Sequence, residues 1–141
     1  MNRAFMRLFV AALVLLASGI HISYPRVVEA QGRDVTITRD DQTENIECKG
    51  NDVSVRGSDN KLVVKGECGK LTVSGDDNVI SAVSVKEVTV SGDDNKITID
   101  AVGKITTTGE DNVISWKTGT NGRGPAVSSK GVDNKILQAK D

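Results

Sequence analysis

A six-residue pattern, Gly-x-Asp-Asn-x-(Leu/Ile), constrains the fold of this chain more than any other feature. Its five copies are GSDNKL from Gly57, GDDNVI from Gly75, GDDNKI from Gly92, GEDNVI from Gly109 and GVDNKI from Gly131, at intervals of 18, 17, 17 and 22 residues. A Gly/Pro-rich insertion at 118–125 accounts for the longest interval. Self-similarity at a fixed period is the signature of a repeat architecture. Any fold proposed for the chain must therefore explain the repeat.

Around each glycine, apolar and polar residues alternate, which predicts two short β-strands flanking a Gly-x-Asp-Asn turn. Four columns of equivalent positions carry the alternation: Val53/Leu71/Val88/Ile105/Val127, Val55/Val73/Val90/Thr107/Ser129, Leu62/Ile80/Ile97/Ile114/Ile136 and Val64/Ala82/Ile99/Trp116/Gln138. No stretch has a helical period. The sequence predicts an all-β domain.

A sandwich of hairpins and a solenoid of stacked coils both accommodate such strands. Identical residues recurring every ~17 positions favour the solenoid, because stacking places each column over itself. We predict a parallel β-solenoid (β-helix) of about five coils. Glycine at the first turn position is expected to supply a positive φ. A side-chain amide ladder is expected along the column Asn60, Asn78, Asn95, Asn112 and Asn134.

The ends of the stack differ from its middle. Residues 31–46 alternate once and then degenerate, which predicts an N-terminal capping segment before a repeat domain at 47–141. At the far end, Ser129 and Gln138 replace apolar residues in their columns, which predicts a polar end.

Residues 1–30 have the pattern of a secretory signal peptide. Arg3 and Arg7 precede a 13-residue apolar run at 8–20, too short to span ~30 Å of hydrocarbon. Cleavage is predicted after Ala30; Ala17-Ser18-Gly19 is a second candidate, and an uncleaved membrane anchor is the alternative. The prediction is a secreted, periplasmic or cell-envelope protein with no membrane span after cleavage.

Two cysteines, Cys48 and Cys68, fall in the exported part of the chain. An oxidising compartment and positions near the same corner of adjacent coils predict one disulfide. The alternative is a redox pair or half of a metal site. The chain contains no CxxC motif, and no histidine follows residue 30. Both observations disfavour that alternative.

The leader, the early cysteine and the repeated strand-Gly-x-(Asp/Asn)-Asn units together resemble the bacterial exported family known as domain of unknown function 3060. The resemblance covers roughly Ile46 to Ile136, and the stretch ECGKLTVSG ending at Gly75, with Asn78, is its most characteristic part. It implies a secreted or envelope-associated repeat domain. It brings no catalytic residues.

The residue census limits the chemistry. Residues 31–141 lack His and Tyr and carry a net charge of −3, which excludes a His-based triad and disfavours nucleic acid. Carboxylates at Asp59, Asp77, Asp94, Asp111 and Asp133 leave a small glycan-acting hydrolase open, but five equivalent acids define no acid/base pair. The same column, above all Asp77, Asp94 and Asp111, suggests a calcium-binding envelope or matrix protein as the alternative.

An outward array of hydroxyls, Thr72, Ser74, Thr89, Ser91, Thr106 and Thr108, is the candidate binding face. Thr arrays of this kind occur on ice-binding solenoids, and polysaccharide surfaces match the same regularity; an ordinary solvated strand face is the alternative. Trp116 is expected to fill space beside the insertion rather than contact a ligand. The overall prediction is a non-catalytic scaffold or binding module without a cofactor. Its partner is a cell-envelope or polysaccharide surface.

Overall fold

The computed structural model describes residues 26–29 and 32–140. It contains β1 (Arg26–Glu29), β2 (Val35–Ile37), β3 (Thr43–Lys49), β4 (Val53–Val55), β5 (Lys61–Ser74), β6 (Val79–Ser91), β7 (Lys96–Glu110), β8 (Val113–Gly119), β9 (Ala126–Val132) and β10 (Lys135–Gln138). All ten strands belong to one sheet and every pairing is parallel. Across these two ranges, no helix has the length and hydropathy that a membrane crossing requires.

Each residue of the repeat lies beside its counterpart in the next repeat. Leu62 pairs with Ile80 and Ile80 with Ile97, and the same register continues along β5, β6 and β7. The chain therefore winds as a parallel β-solenoid, and the predicted fold class is confirmed. Its turns are residues 26–29 with 32–42, then 43–60, 61–78, 79–95, 96–112 and 113–134, followed by β10. The described residues therefore form six turns rather than the expected five.

The additional turn escaped the sequence pattern because its corner reads Arg39-Asp40-Asp41-Gln42. Asp41 has the same positive φ (56°) as Asp77 and Asp94 in the later corners. The backbone N–H of Gln42 donates to Oδ1 of Asn60 at 2.9 Å, as each later asparagine does to the next. Residues 39–42 are thus a corner of the repeat without its glycine and asparagine.

The core is one continuous cluster of aliphatic side chains, arranged in parallel columns along the inside of the solenoid. In the central turns these side chains have essentially no exposed surface; they include Val53, Val55, Leu71, Val73, Ile80, Val85, Val88, Val90, Ile97, Ile99, Val102, Ile105 and Ile114. Buried β-branched residues are well suited to parallel strands, because they pack closely on the pleated surface. Stacking in register lets each side chain contact its own equivalent in the neighbouring turn.

Two sequence predictions about the N-terminal part concern its processing and capping. Of the predicted leader at 1–30, only 26–29 falls within the described residues. These residues form β1, which pairs with β3 in the register Arg26 to Glu44. Residues 32–46 supply β2 and the start of β3, and β3 continues across the predicted boundary between 46 and 47. Cleavage and a capping role stay predictions.

The C-terminal end is less polar than the sequence suggested. Ser129 is exposed and Gln138 is exposed, as expected, but Val127, Val132 and Leu137 are exposed as well. All seven residues of β9 are exposed, because no further turn covers them in the part of the chain that the structure describes. The last turn therefore presents apolar side chains to solvent.

Glycine is required at the first position of each Gly-x-Asp-Asn corner for a reason that differs from the expected one. The left-handed residue of each corner is the aspartate, with φ of 53–58° at Asp59, Asp77, Asp94, Asp111 and Asp133. Gly57 and Gly75 do not have a positive φ, whereas Gly92, Gly109 and Gly131 do. What all five share is contact: a Cβ on any of them would overlap the carbonyl oxygen of the equivalent residue one turn earlier.

This steric rule also explains the first corner. A Cβ on Gly57 would collide with the carbonyl of Arg39, and one on Gly75 with the carbonyl of Gly57. Among the described residues no turn precedes Arg39, so a full side chain is tolerated there. The glycines are thus required by the close approach of stacked turns.

The predicted disulfide between Cys48 and Cys68 is confirmed. The two residues lie in neighbouring turns with their Cα atoms 5.1 Å apart, and both side chains are buried in the core. A disulfide of this kind fits an extracellular or periplasmic location.

Candidate functional site

The asparagine column forms a continuous hydrogen-bonded ladder. Each Nδ2 donates to Oδ1 of the next asparagine, at 3.0 Å from Asn60 to Asn78, 3.1 Å from Asn78 to Asn95, 3.0 Å from Asn95 to Asn112 and 2.9 Å from Asn112 to Asn134. The same oxygens accept the backbone N–H of the preceding asparagine at 3.1 Å. Each amide oxygen therefore satisfies two donors of the turn before it.

The ladder is closed to ligands. Asn60, Asn78, Asn95 and Asn112 are fully buried, and only Asn134 in the last turn is partly exposed. From the third of these residues onward, Nδ2 also donates to the glycine carbonyl of the preceding corner, for example from Asn95 to Gly75 at 2.8 Å. Because a buried amide without partners is costly, the column is a structural element.

A second ladder, which the sequence analysis missed, occupies the variable position of the Gly-x-Asp-Asn corner. Oδ1 of Asp40 accepts the backbone N–H of Ser58 at 2.8 Å, and Oγ of Ser58 accepts that of Asp76 at 3.3 Å. Oδ1 of Asp76 then accepts from Asp93 at 2.9 Å, and Oδ1 of Asp93 from Glu110 at 2.8 Å. The signal was present as a short oxygen-bearing side chain at this position in successive repeats.

The proposed calcium ligands lie beside this second ladder. Asp77, Asp94 and Asp111 occupy the exposed left-handed position of their corners. Their neighbours Asp76 and Asp93 each use one carboxylate oxygen to accept a backbone N–H. In residues 26–29 and 32–140, no three His, Cys, Asp or Glu side chains are grouped so that they could hold a metal ion. Calcium binding at Asp77, Asp94 and Asp111 stays an untested alternative.

The six predicted hydroxyl residues lie together on one outward face. Thr72 pairs with Thr89 and Thr89 with Thr106, while Ser74 pairs with Ser91 and Ser91 with Thr108. The face has two columns: Thr72, Thr89 and Thr106 form the inner column, and Ser74, Ser91 and Thr108 form the outer column. The inner column is longer than expected, because strand pairing extends it at both ends. The complete column is Thr36, Ser54, Thr72, Thr89, Thr106 and Ser128. We call these six residues, with Ser74, Ser91 and Thr108, the hydroxyl face.

The hydroxyl face is chemically available. Among the described residues, none of its hydroxyl groups takes part in a hydrogen bond or other polar contact, and Ser74, Ser91 and Thr108 are exposed. Thr72, Thr89 and Thr106 are partly exposed. Arg56 follows β4 at one end of the outer column, and Lys130 pairs with Thr108 at the other. The face is therefore a regular array of small polar groups bordered by two cations.

The repeats that build this face carry the family assignment. A family model described as a protein of unknown function (DUF3060) matches residues 55–100 and 83–133, together more than half of the chain. The chain belongs to the DUF3060 family. A search of curated proteins and a search of solved structures each found no match. The matched DUF3060 region runs from the end of β4 to the last Gly-x-Asp-Asn corner.

In this DUF3060 chain, Trp116 packs against the core and lies next to the insertion. Its backbone pairs with Ile99 on one side and Gln138 on the other. Its ring stands 3.5 Å from the position that a Cβ on Gly124 would occupy. The side chain is partly buried against the hydrophobic cluster. These contacts fit the packing role expected for it.

A concave surface lies between the insertion and the neighbouring turns of the DUF3060 repeats. It has a volume of about 770 Å³ and is lined mainly by short or polar side chains: Glu67, Ser84, Lys86, Ala101, Gly103, Lys104, Thr118, Thr120 and Asn121, with Cys68 and Gly119. Among the described residues that line it, Glu67 is the one carboxylate.

Proposed function

We propose that this DUF3060 chain is an exported, non-catalytic β-solenoid module that binds a polysaccharide surface of the cell envelope through its hydroxyl face. The observation that carries the proposal is the in-register column of six hydroxyls from Thr36 to Ser128. A flat array whose groups repeat along the solenoid axis suits a partner that is itself periodic.

The spacing of the array supports an ordered polymer as the partner. Neighbouring strands are ~4.8 Å apart, and alternate residues on one strand are ~7 Å apart. Each free hydroxyl can both donate and accept a hydrogen bond, which matches the hydroxyl groups of a sugar chain. Because the side chains are short, they hold this grid with little loss of rotamer entropy on binding.

The non-catalytic part of the proposal rests on the repetition of the acidic groups. An enzyme places chemically distinct groups in one cleft and separates their pKa values. Here the aspartates at the left-handed position recur in near-identical corners, and those at the variable position accept backbone N–H groups from the next turn. Five similar environments do not distinguish an acid from a base.

Export is supported by the chemistry of the cysteines and by the leader pattern. Cys48 and Cys68 are joined and buried, and structural disulfides persist in oxidising compartments. An oxidising cell envelope is where a polysaccharide surface would be met.

Co-sedimentation tests the proposal. Protein recovered after export is mixed with insoluble peptidoglycan, cellulose or chitin, with and without EDTA, and soluble sugar release is measured in parallel. We expect saturable binding to at least one polymer, unchanged by EDTA and without sugar release. Sugar release would contradict the non-catalytic assignment, loss of binding in EDTA would support calcium dependence instead, and absence of binding to all three would contradict the polysaccharide assignment.

A further inference from the structure

Within the described residues, the last turn of the solenoid leaves the end of the core uncovered. Val127 in β9 continues the column of Val88 and Ile105, which are 0% exposed, yet its own side chain is 51% exposed. Ile136 in β10 continues the column of Ile114 and is only partly buried. Among the described residues, β9 pairs only with β7 and β10 only with β8. Both strands therefore present an unpaired edge beside apolar side chains.

The N-terminal end differs in shape. It contains a recess of about 230 Å³ lined by Arg26, Val28, Val35, Thr36, Ile37, Thr38, Arg39, Gln42 and Glu44. Arg26 and Val28 belong to the predicted leader, so cleavage after Ala30 removes them and leaves Val35, Ile37 and Glu44 at this end. Glu44 lies in the column that Leu62 and Ile80 continue, so its carboxylate points inward. Its Oε2 is buried and has no hydrogen-bond partner in the described part of the chain. A buried carboxylate oxygen of this kind calls for a donor, and preferably a cation.

The two ends also carry opposite charge. Residues 31–47, which follow the predicted cleavage site, contain two basic and five acidic residues, for a net charge of −3. Residues 113–141 contain five basic residues and two acids, for a net charge of +3. The cations nearest the open edge are Lys130 and Lys135, which lie on β9 and β10 and are exposed. The solenoid is thus polar along its axis.

We propose that the C-terminal end of one copy stacks on the N-terminal end of a second copy. In this arrangement Val127 and Ile136 of one copy continue the columns that Val35 and Glu44 begin in the next. Lys135, which precedes Ile136 in β10, is then the basic residue offered to Glu44. Opposite net charges favour this contact, whereas two C-terminal ends would place +3 against +3. A head-to-tail contact is heterologous and does not close, so it generates open chains of copies.

Light scattering and sedimentation velocity of the exported protein, measured against concentration at low and high salt, test the proposal. We expect a weight-average mass that continues to rise with concentration and that falls when salt is added. The double variant Lys130→Glu/Lys135→Glu should weaken association by about tenfold or more. Its matched control, Lys61→Glu/Lys96→Glu, makes the same charge change at exposed positions in the middle of the stack and should leave association within about twofold.

A second pair of variants separates the apolar contact from the charge. Val127→Asp should abolish the rise of the weight-average mass with concentration. Val83→Asp, at a valine that is exposed in the middle of the stack, should leave that rise unchanged. Thermal melting checks that both variants are folded. Three results would overturn the proposal: a monomer at all concentrations, a species that stops at two copies, or association that the end variants weaken no more than their mid-stack controls do.

Discussion

The side-chain amide of Asn95 donates to Oδ1 of Asn112 at 3.0 Å, and the same oxygen accepts the backbone N–H of Asn95 at 3.1 Å. One buried oxygen thus ties both the side chain and the main chain of one corner to the next. Repeated from Asn60 to Asn134, this unit holds the register of the solenoid at the Gly-x-Asp-Asn corners.

Replacing Asn95 by alanine should destabilise the protein more than replacing Asn134. Asn95→Ala removes the acceptor for both the amide and the backbone N–H of Asn78, and each buried unsatisfied donor costs ~1–3 kcal/mol. Asn134 is partly exposed, so water can replace it. Urea unfolding of both variants measures the difference. Equal small losses would mean that the ladder contributes little to stability.

Alanine at Gly75 should be poorly tolerated for steric reasons. Its Cβ would overlap the carbonyl oxygen of Gly57, and overpacking of this kind typically costs ~1–3 kcal/mol. Gly124→Ala is the matched control, because a Cβ there has only an ordinary 3.5 Å contact with Trp116 and no positive φ to oppose it. Melting temperatures compare the two. Equal tolerance would contradict the close stacking of the corners.

Loss of the disulfide should cost stability without changing the fold. The bridge closes a loop with a sequence separation of 20 residues, which corresponds to ~3 kcal/mol on the chain-entropy estimate. Unfolding of the Cys48→Ala/Cys68→Ala variant measures this cost. Mass spectrometry after alkylation without reductant should find no free thiol, and two alkylated cysteines would refute the pairing.

A single hydroxyl in the core should be dispensable. Thr107 occupies the column of Val73 and Val90, is 0% exposed, and its Oγ1 has no hydrogen-bond partner within the described residues. Because valine has nearly the same shape, Thr107→Val should stabilise the protein by ~1–2 kcal/mol. Thr106→Val, on the outward side of the same strand, should be close to neutral. Destabilisation by Thr107→Val would show that the hydroxyl has a partner.

The parts of the fold that repeat were predictable from the sequence. Stacking in register gives equivalent residues the same environment in every turn. Columns of similar residues such as Leu71, Val88 and Ile105 therefore predicted both the inward face and the solenoid. The asparagine column could be identified in the same way, since an amide that recurs at one corner position lies beside its own equivalents and can pair with them. The disulfide followed from two cysteines on adjacent turns.

The parts that depend on the ends of the stack could not be predicted. The first turn was missed because Arg39 and Gln42 replace the glycine and asparagine that later corners need. The exposed apolar side chains of the last turn were not predicted, because the polar residues Ser129 and Gln138 suggested a polar C-terminal end. Whether a side chain is covered depends on the neighbouring turn, which a local pattern does not reveal.

The candidate site was predicted only in part for a related reason. The sequence indicated three turns of hydroxyls around Thr89, but Thr36 and Ser128 joined the column only once strand pairing was known. The ladder of Asp76 and Asp93 was overlooked because its acceptors differ in type from turn to turn. Backbone donors on the next turn give these carboxylates their role, and those donors leave no trace in the side-chain pattern.

The central claim is that the hydroxyl face binds an ordered polysaccharide. The most direct test uses the polymer that binds the exported protein in co-sedimentation. Binding isotherms on this polymer are measured for the wild type, Thr89→Lys and Thr98→Lys. Thr98 is exposed on a different outward strip of β7, so the two variants make the same substitution on different faces. We predict that Thr89→Lys weakens binding by about tenfold or more, because a long side chain breaks the flat array, while Thr98→Lys stays within about twofold. Equal binding by all three proteins, or a larger loss for Thr98→Lys, would contradict the account.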